Sequence, residues 1–183
     1  RAADGVKGML LITPTDYGTC ADIKHTAEIC HRHDIPLIVD EAWGAVFPFH
    51  DDLPAWAMDA GADLCVTSVH KTGNGLEQGS VFHLQGDLVP ATVLRMRADL
   101  LGTTSPSVLI FAGMDGWRRQ MALRGEEIMG SALDLAAEVG AAVEEIDGMH
   151  VNDRDDFCGP GLAHGFDPLP VVIDLDELGV SGY

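Results

Sequence analysis

The chain has 183 residues, of which 29 are acidic and 11 basic, giving a formal charge of −18, and 46 % are hydrophobic. That apolar share excludes wholesale disorder, and the acidity argues against nucleic acid or an anionic membrane as a partner, since both are polyanions. The length suffices for one ordinary domain, with or without the start of another; no apolar run approaches the roughly 20 residues of a membrane-spanning helix, so a soluble protein is expected.

Residues 1–8 carry charges and glycine, show no secretory h-region, and lead without an initiator Met into an apolar stretch. A segment of a longer protein is expected. Residues 8–13 read as a short buried strand and 22–33 as a helix with Ile23, Ala27 and Ile29-Cys30 on its apolar side. Residues 36–40 form a second apolar strand, 55–60 a helix, 63–68 a third strand and 80–84 a fourth. Strands without polar alternation, separated by helices, predict an α/β fold: a mainly parallel sheet flanked by helices on both faces. Ligands of such sheets bind beyond the carboxyl ends of the strands, which places Thr13, Asp40 and residues 68–71 along one edge.

From residue 111 to 145 the pattern becomes one long helical stretch, interrupted by Gly116, Gly125, Gly130 and Gly140. Residues 152–170 are loop-rich, and 171–175 offer a last strand. Three segments are therefore expected: 1–112 as part of a large α/β domain, 113–147 as a long connecting helix, and 148–183 as the beginning of a small α+β domain. The four cysteines form no CxxC pair; Cys30 and Cys65 read as small core residues, and reduced thiols in a cytoplasmic protein are expected. His25, His31 and His33 diverge around a helix at ~100° per residue, and residues 50–52 read as a solvated turn, so no metal site is expected. Gly73-Asn74-Gly75 lacks the strand-to-helix spacing of a phosphate loop. Trp117-Arg118-Arg119 reads as a helix face or subunit contact.

Two positions carry chemistry. Lys71 lies just past a buried strand, where an amine can serve as a nucleophile. A lysine in a loop is ordinarily a surface residue, but lysine occurs here only at positions 7, 24 and 71, and Ser68 and His70 stand beside the last of these. Asp40 ends another strand, where a carboxylate either caps the following turn or faces a cofactor nitrogen and keeps it protonated. Glu41, on the opposite face by strand alternation, reads as structural or solvent-exposed.

The pairing of Asp40-x-Ala42 with Ser68-x-His70-Lys71, preceded by Thr13-Pro14-Thr15-x-Tyr17-Gly18, resembles the fold-type I pyridoxal-phosphate (PLP) enzymes. More narrowly, VDEAWGAVFPFHDDLP, GADLCVTSVHKTGNGLEQGSVFHL and DLLGTTSPSVLIFAGMDGWRRQM resemble the Orn/Lys/Arg decarboxylase family, over nearly the whole chain. The resemblance implies that residues 1–112 belong to a PLP-binding large domain. It also implies a Schiff base between Lys71 and pyridoxal 5'-phosphate, and a contact of Asp40 with the ring nitrogen. By the same resemblance Ala42 rests its methyl on the ring, Ser68 and His70 reach the phosphate, Thr13 approaches the ring hydroxyl, and Trp43 lies beside the cofactor.

Thr104 and Ser105 resemble a segment that reaches the phosphate of a neighbouring subunit, implying a homodimer or higher homo-oligomer. The implied activity is decarboxylation of a basic amino acid, whether arginine, lysine or ornithine. Another fold-type I reaction such as aminotransfer, or a non-catalytic oligomerisation or regulatory module, stands as the alternative. The phosphate loop and the group stacking on the other ring face would lie upstream of this chain.

Overall fold

The computed structural model of the chain describes residues 5–180; residues 1–4 and 181–183, the ends of the first and last expected segments, lie outside the described residues. β1 (Met9–Ile12) leads through a turn to a short β2 (Thr19–Cys20). α1 (Ile23–His31) begins where the Asp22 carboxylate accepts the His25 amide at 2.9 Å, a side-chain N-cap. It buries Ile23, Ala27 and Cys30, spaced i, i+4, i+7 on one face. β3 (Leu37–Asp40), β4 (Leu64–Ser68) and β5 (Ser80–Leu84) complete a four-stranded sheet in the order β1-β3-β4-β5.

The first three of these neighbours run parallel and β5 is antiparallel to β4. The register pairs Ile12 with Asp40 and Asp40 with Val66, so the parallel strands finish at one edge. Leu37, Val39 and Cys65 pack against the buried face of α1 together with Ala57, Met58 and Ala62. Cys20, Cys30 and Cys65 are buried, and all four cysteines are free thiols.

Two expectations change at this level. The apolar run in β1 forms a strand, but Leu10 and Ile12 remain 63 % and 65 % exposed, because nothing described covers their face of β1, whereas Leu11 on the other face packs against the core. Residues 55–60 form turns and no helix. There the Ala57 amide donates to the Glu41 carboxylate at 3.0 Å, and Gly61 at φ +100° ends the single helical bond from the Ala60 amide to the Trp56 carbonyl. One helical bond is too few to sustain a helix.

α2 (Ala91–Leu101), which the sequence pattern did not signal, contains no buried residue. α3 (Val108–Glu144) then runs unbroken for 37 residues, about 55 Å at 1.5 Å per residue. Its expected interruptions do not occur. Gly125 allows close approach instead, since a Cβ there would meet the Phe49 side chain at 2.8 Å. This contact joins α3 to the Phe47–Phe49 turn in a second core with Val46, Leu53, Met121 and Met129. Trp117 packs edge-on against Phe49, with ring centroids 5.7 Å apart.

The remaining elements are β6 (His150–Asn152), α4 (Arg154–Phe157), β7 (Gly165–Phe166) and β8 (Val172–Asp174). β6 pairs with β8, whereas β7 returns to pair antiparallel with β2, matching Thr19 to Phe166. The Asp167 amide donates to the Gly18 carbonyl at 2.8 Å. Gly18 has φ +85°, and a Cβ on it would sit 2.8 Å from the Asp167 carbonyl oxygen, so the turn requires glycine. Among the described residues no helix is long and apolar enough to cross a membrane.

Candidate active site

The carboxyl edge of the sheet is knitted by backbone bonds that bring most of the expected residues together. The Thr13 amide donates to the Asp40 carbonyl at 3.0 Å, the Ser68 amide to the Ala42 carbonyl at 3.4 Å, and the Lys71 amide to the Ser68 carbonyl at 3.2 Å. The Thr72 hydroxyl donates to the Trp43 carbonyl at 2.9 Å, tying the loop after β4 to the loop after β3. The Lys71 ammonium lies over the Trp43 ring, 4.6 Å from its centroid.

The loop carrying Lys71 turns back tightly. The Gly75 amide donates to the Val69 carbonyl at 2.9 Å. A Cβ on Gly73 would approach the same carbonyl to 2.6 Å and Trp117 to 3.1 Å, so these glycines serve close approach.

His70 is oriented by a single contact: its Nδ1–H donates to the Gly79 carbonyl at 3.1 Å. That bond fixes the proton on Nδ1, so Nε2 can donate to an anion only when the ring is imidazolium. Thr13 is buried, and its hydroxyl oxygen accepts the Ala21 amide at 3.0 Å. Thr104 and Ser105 lie exposed between α2 and α3, where the Ser105 amide donates to Thr103 Oγ1 at 3.2 Å. No hydrogen bond joins them to the Asp40–Lys71 group among the described residues.

Asp40 Oδ1 accepts the Ala42 amide at 3.2 Å, and Oδ2 makes no hydrogen bond among the described residues. Neither Asp40 nor Lys71 has an oppositely charged partner within 4.0 Å among them. A half-buried carboxylate and a half-buried ammonium on one edge, each lacking a counter-ion, suit a ligand that offers a cationic ring nitrogen and an aldehyde.

The adjacent Glu41 behaves differently. It is fully buried on the other face, as strand alternation implies, with Oε2 accepting the Cys65 thiol at 3.4 Å. Burial pushes its carboxyl up to about 8 and the Cys65 thiol well above its usual range. Neither group is free for surface chemistry, and the solvent-exposed option for Glu41 is excluded.

No motif or periodicity points to Asp167, a carboxylate 1 % exposed whose pKa is raised to about 6 by burial. It lines a cavity of about 350 Å³ together with Thr15, Asp16, Trp43 and Thr72. Only the long-range pairing of β7 with β2 brings it there. On α1, His31 is held by Asp63 at 2.9 Å.

Sheet order, register and the polar carboxyl edge define the large domain of the fold-type I enzymes. Solved structures agree at the level of fold. The constitutive lysine decarboxylase of E. coli superposes with a TM-score of 0.59 at 20 % identity, over 78 % of this chain and 21 % of that one. The sphingosine-1-phosphate lyase of Burkholderia pseudomallei gives 0.58 at 22 % identity, over 81 % and 38 %.

Residues 2–155 match the family described as the Orn/Lys/Arg decarboxylase major domain, and the chain belongs to that family. Curated relatives called arginine decarboxylase, from Halalkalibacterium halodurans and Bacillus subtilis (strain 168), are each 37 % identical over 177 residues, covering 97 % of this chain. The chain spans about a third of the length of these relatives, 36 % in both cases.

Proposed function

We propose that the full-length protein containing this chain decarboxylates a basic amino acid with the help of pyridoxal 5'-phosphate. Arginine is the first substrate to expect, given what the relatives are called. The observation that carries this reading is the Asp40–Lys71 pair, two opposite charges without counter-ions at one strand edge, in a chain of this family. The bound ring would take up the electron pair released as carbon dioxide leaves.

Around it this chain's residues divide the work. Lys71 would hold the cofactor through its side-chain amine. Asp40 would face the ring nitrogen and favour its protonated form, in which the ring accepts electrons. Ala42 offers only a methyl group, leaving room for a planar ring, and Trp43 holds the lysine side chain from one side. Ser68 and His70 would reach the phosphate, His70 through Nε2, since its Nδ1 is held by the Gly79 carbonyl. Thr13 supplies a buried hydroxyl near the ring hydroxyl.

Thr104 and Ser105 are assigned to a neighbouring subunit's phosphate, which implies a homodimer. The arm that carries them supports this reading: Leu101 and Val108 are 84 % and 77 % exposed, an apolar surface suited to a second copy.

The test is carbon dioxide release by the full-length protein with cofactor and arginine, lysine or ornithine. Release of carbon dioxide with an equivalent of amine is expected. A keto acid product would replace decarboxylation with aminotransfer. No turnover of any of the three would contradict the proposal.

A further inference from the structure

We propose that Asp167 receives the cationic end of the substrate side chain, with Asp16 at the mouth of the same cavity. The inference rests on the reading of the site as a basic amino acid decarboxylase and adds the residue that would select the substrate.

The cavity that Asp167 lines reaches Trp43 and Thr72 on its other side. Trp43 carries the Lys71 ammonium over its ring at 4.6 Å, and Thr72 is the next residue after that lysine. One cavity of about 350 Å³ is thus lined both by Trp43, which carries the Lys71 ammonium, and by the buried Asp167.

Asp167 is held for this purpose from both sides. Its amide donates to the Gly18 carbonyl at 2.8 Å, and its Oδ1 accepts the Leu169 amide at 3.0 Å. Oδ2 accepts no hydrogen bond among the described residues, and Asp167 lines the cavity. No Lys, Arg or His pairs with Asp167 among the described residues.

A buried carboxylate with one oxygen unpartnered and no counter-charge is unfavourable in the empty protein. A guanidinium or ammonium group arriving through the cavity removes that penalty. A guanidinium suits it further, since its planar fork can pair with a carboxylate and stack on the Trp43 ring. The Leu169 contact alone would not require a charge, because an asparagine oxygen makes the same i to i+2 bond.

That difference gives the experiment, performed on the full-length enzyme. Asp167→Asn keeps the turn and removes the charge. The expected result is a KM for arginine raised about 10- to 100-fold, roughly the loss of one charge-assisted contact, with kcat and cofactor absorbance retained. Selectivity for arginine over citrulline, its neutral near-isostere, is expected to fall by a similar factor. Asp16→Lys, at an exposed position with no side-chain hydrogen bond among the described residues, places a competing cation at the cavity mouth. It raises the same KM even if Asp167→Asn fails to fold.

An unchanged KM in the folded variants, with the unsubstituted enzyme active, overturns the role of Asp167 and leaves the proposed function standing. An inactive unsubstituted enzyme overturns both.

Discussion

The two ends of the parallel sheet treat their charged groups in opposite ways. At the amino end, Asp63 is buried and has a potential counter-charge, its Oδ2 accepting both the Leu37 amide at 2.8 Å and the His31 ring at 2.9 Å. Gln85 closes the same end by donating to the Met58 and Ala62 carbonyls, both at 2.7 Å. At the carboxyl end, Asp40 and Lys71 have no partner of opposite charge among the described residues, and Ser68 engages the fold through its backbone. Satisfied polar groups hold the strands in place, while unsatisfied ones remain available to a ligand. A strand end can therefore be read by its unpaired charges as well as by its sequence.

This contrast breaks most visibly at Lys71. Lys71→Ala is expected to reduce decarboxylation to background, while the melting temperature without added cofactor moves by less than about 2 °C, because among the described residues the ammonium makes no ion pair and sits only over the exposed Trp43 ring. Asp40→Asn keeps the acceptor for Ala42 and removes the charge; turnover is expected to fall about 100-fold or more, again with little change in stability.

The opposite end should respond in the opposite way. Asp63→Ala leaves the Leu37 amide without its acceptor, so denaturant unfolding is expected to show a loss of about 2–3 kcal/mol, with kcat per folded molecule unchanged.

The effect at Glu41 shows only as a dependence on pH. Its carboxyl is raised to about 8 in the fold against an ordinary value of 4.5, so the native state holds a proton that the unfolded chain releases. That contribution is fully present below about pH 4.5 and is lost as the pH rises towards 8. Melting curves of Glu41→Gln, which stays neutral, should gain on the parent protein steadily from pH 5 to pH 8. A pH-independent difference would contradict the buried-proton account.

Much of this site was legible beforehand because its chemistry sits where strands end. The continuous apolar runs closing in Asp40 and Ser68 located β3 and β4, and the sheet edge followed from them. Strand alternation also put Glu41 on the face away from Asp40. Its burial was hidden, because the cover comes from Ala57, sixteen residues on.

Residues 55–60 misled because a helix-like composition stops after one helical bond, at Gly61 with its φ of +100°. β1 misled in the reverse direction, since an apolar run reports a strand without reporting whether anything covers it. α2 escaped notice because its apolar residues are exposed and follow no buried stripe. Asp167 was beyond reach of any local pattern, being carried to the cavity by the pairing of Phe166 with Thr19.

The central claim is that Lys71 holds the cofactor. Borohydride reduction of the full-length protein with bound pyridoxal phosphate, followed by peptide mapping, tests it most directly. The account predicts a phosphopyridoxyl group on the peptide containing Ser68-Val69-His70-Lys71. Labelling at Lys7, Lys24 or a lysine elsewhere in the protein, with Lys71 unmodified, would contradict it.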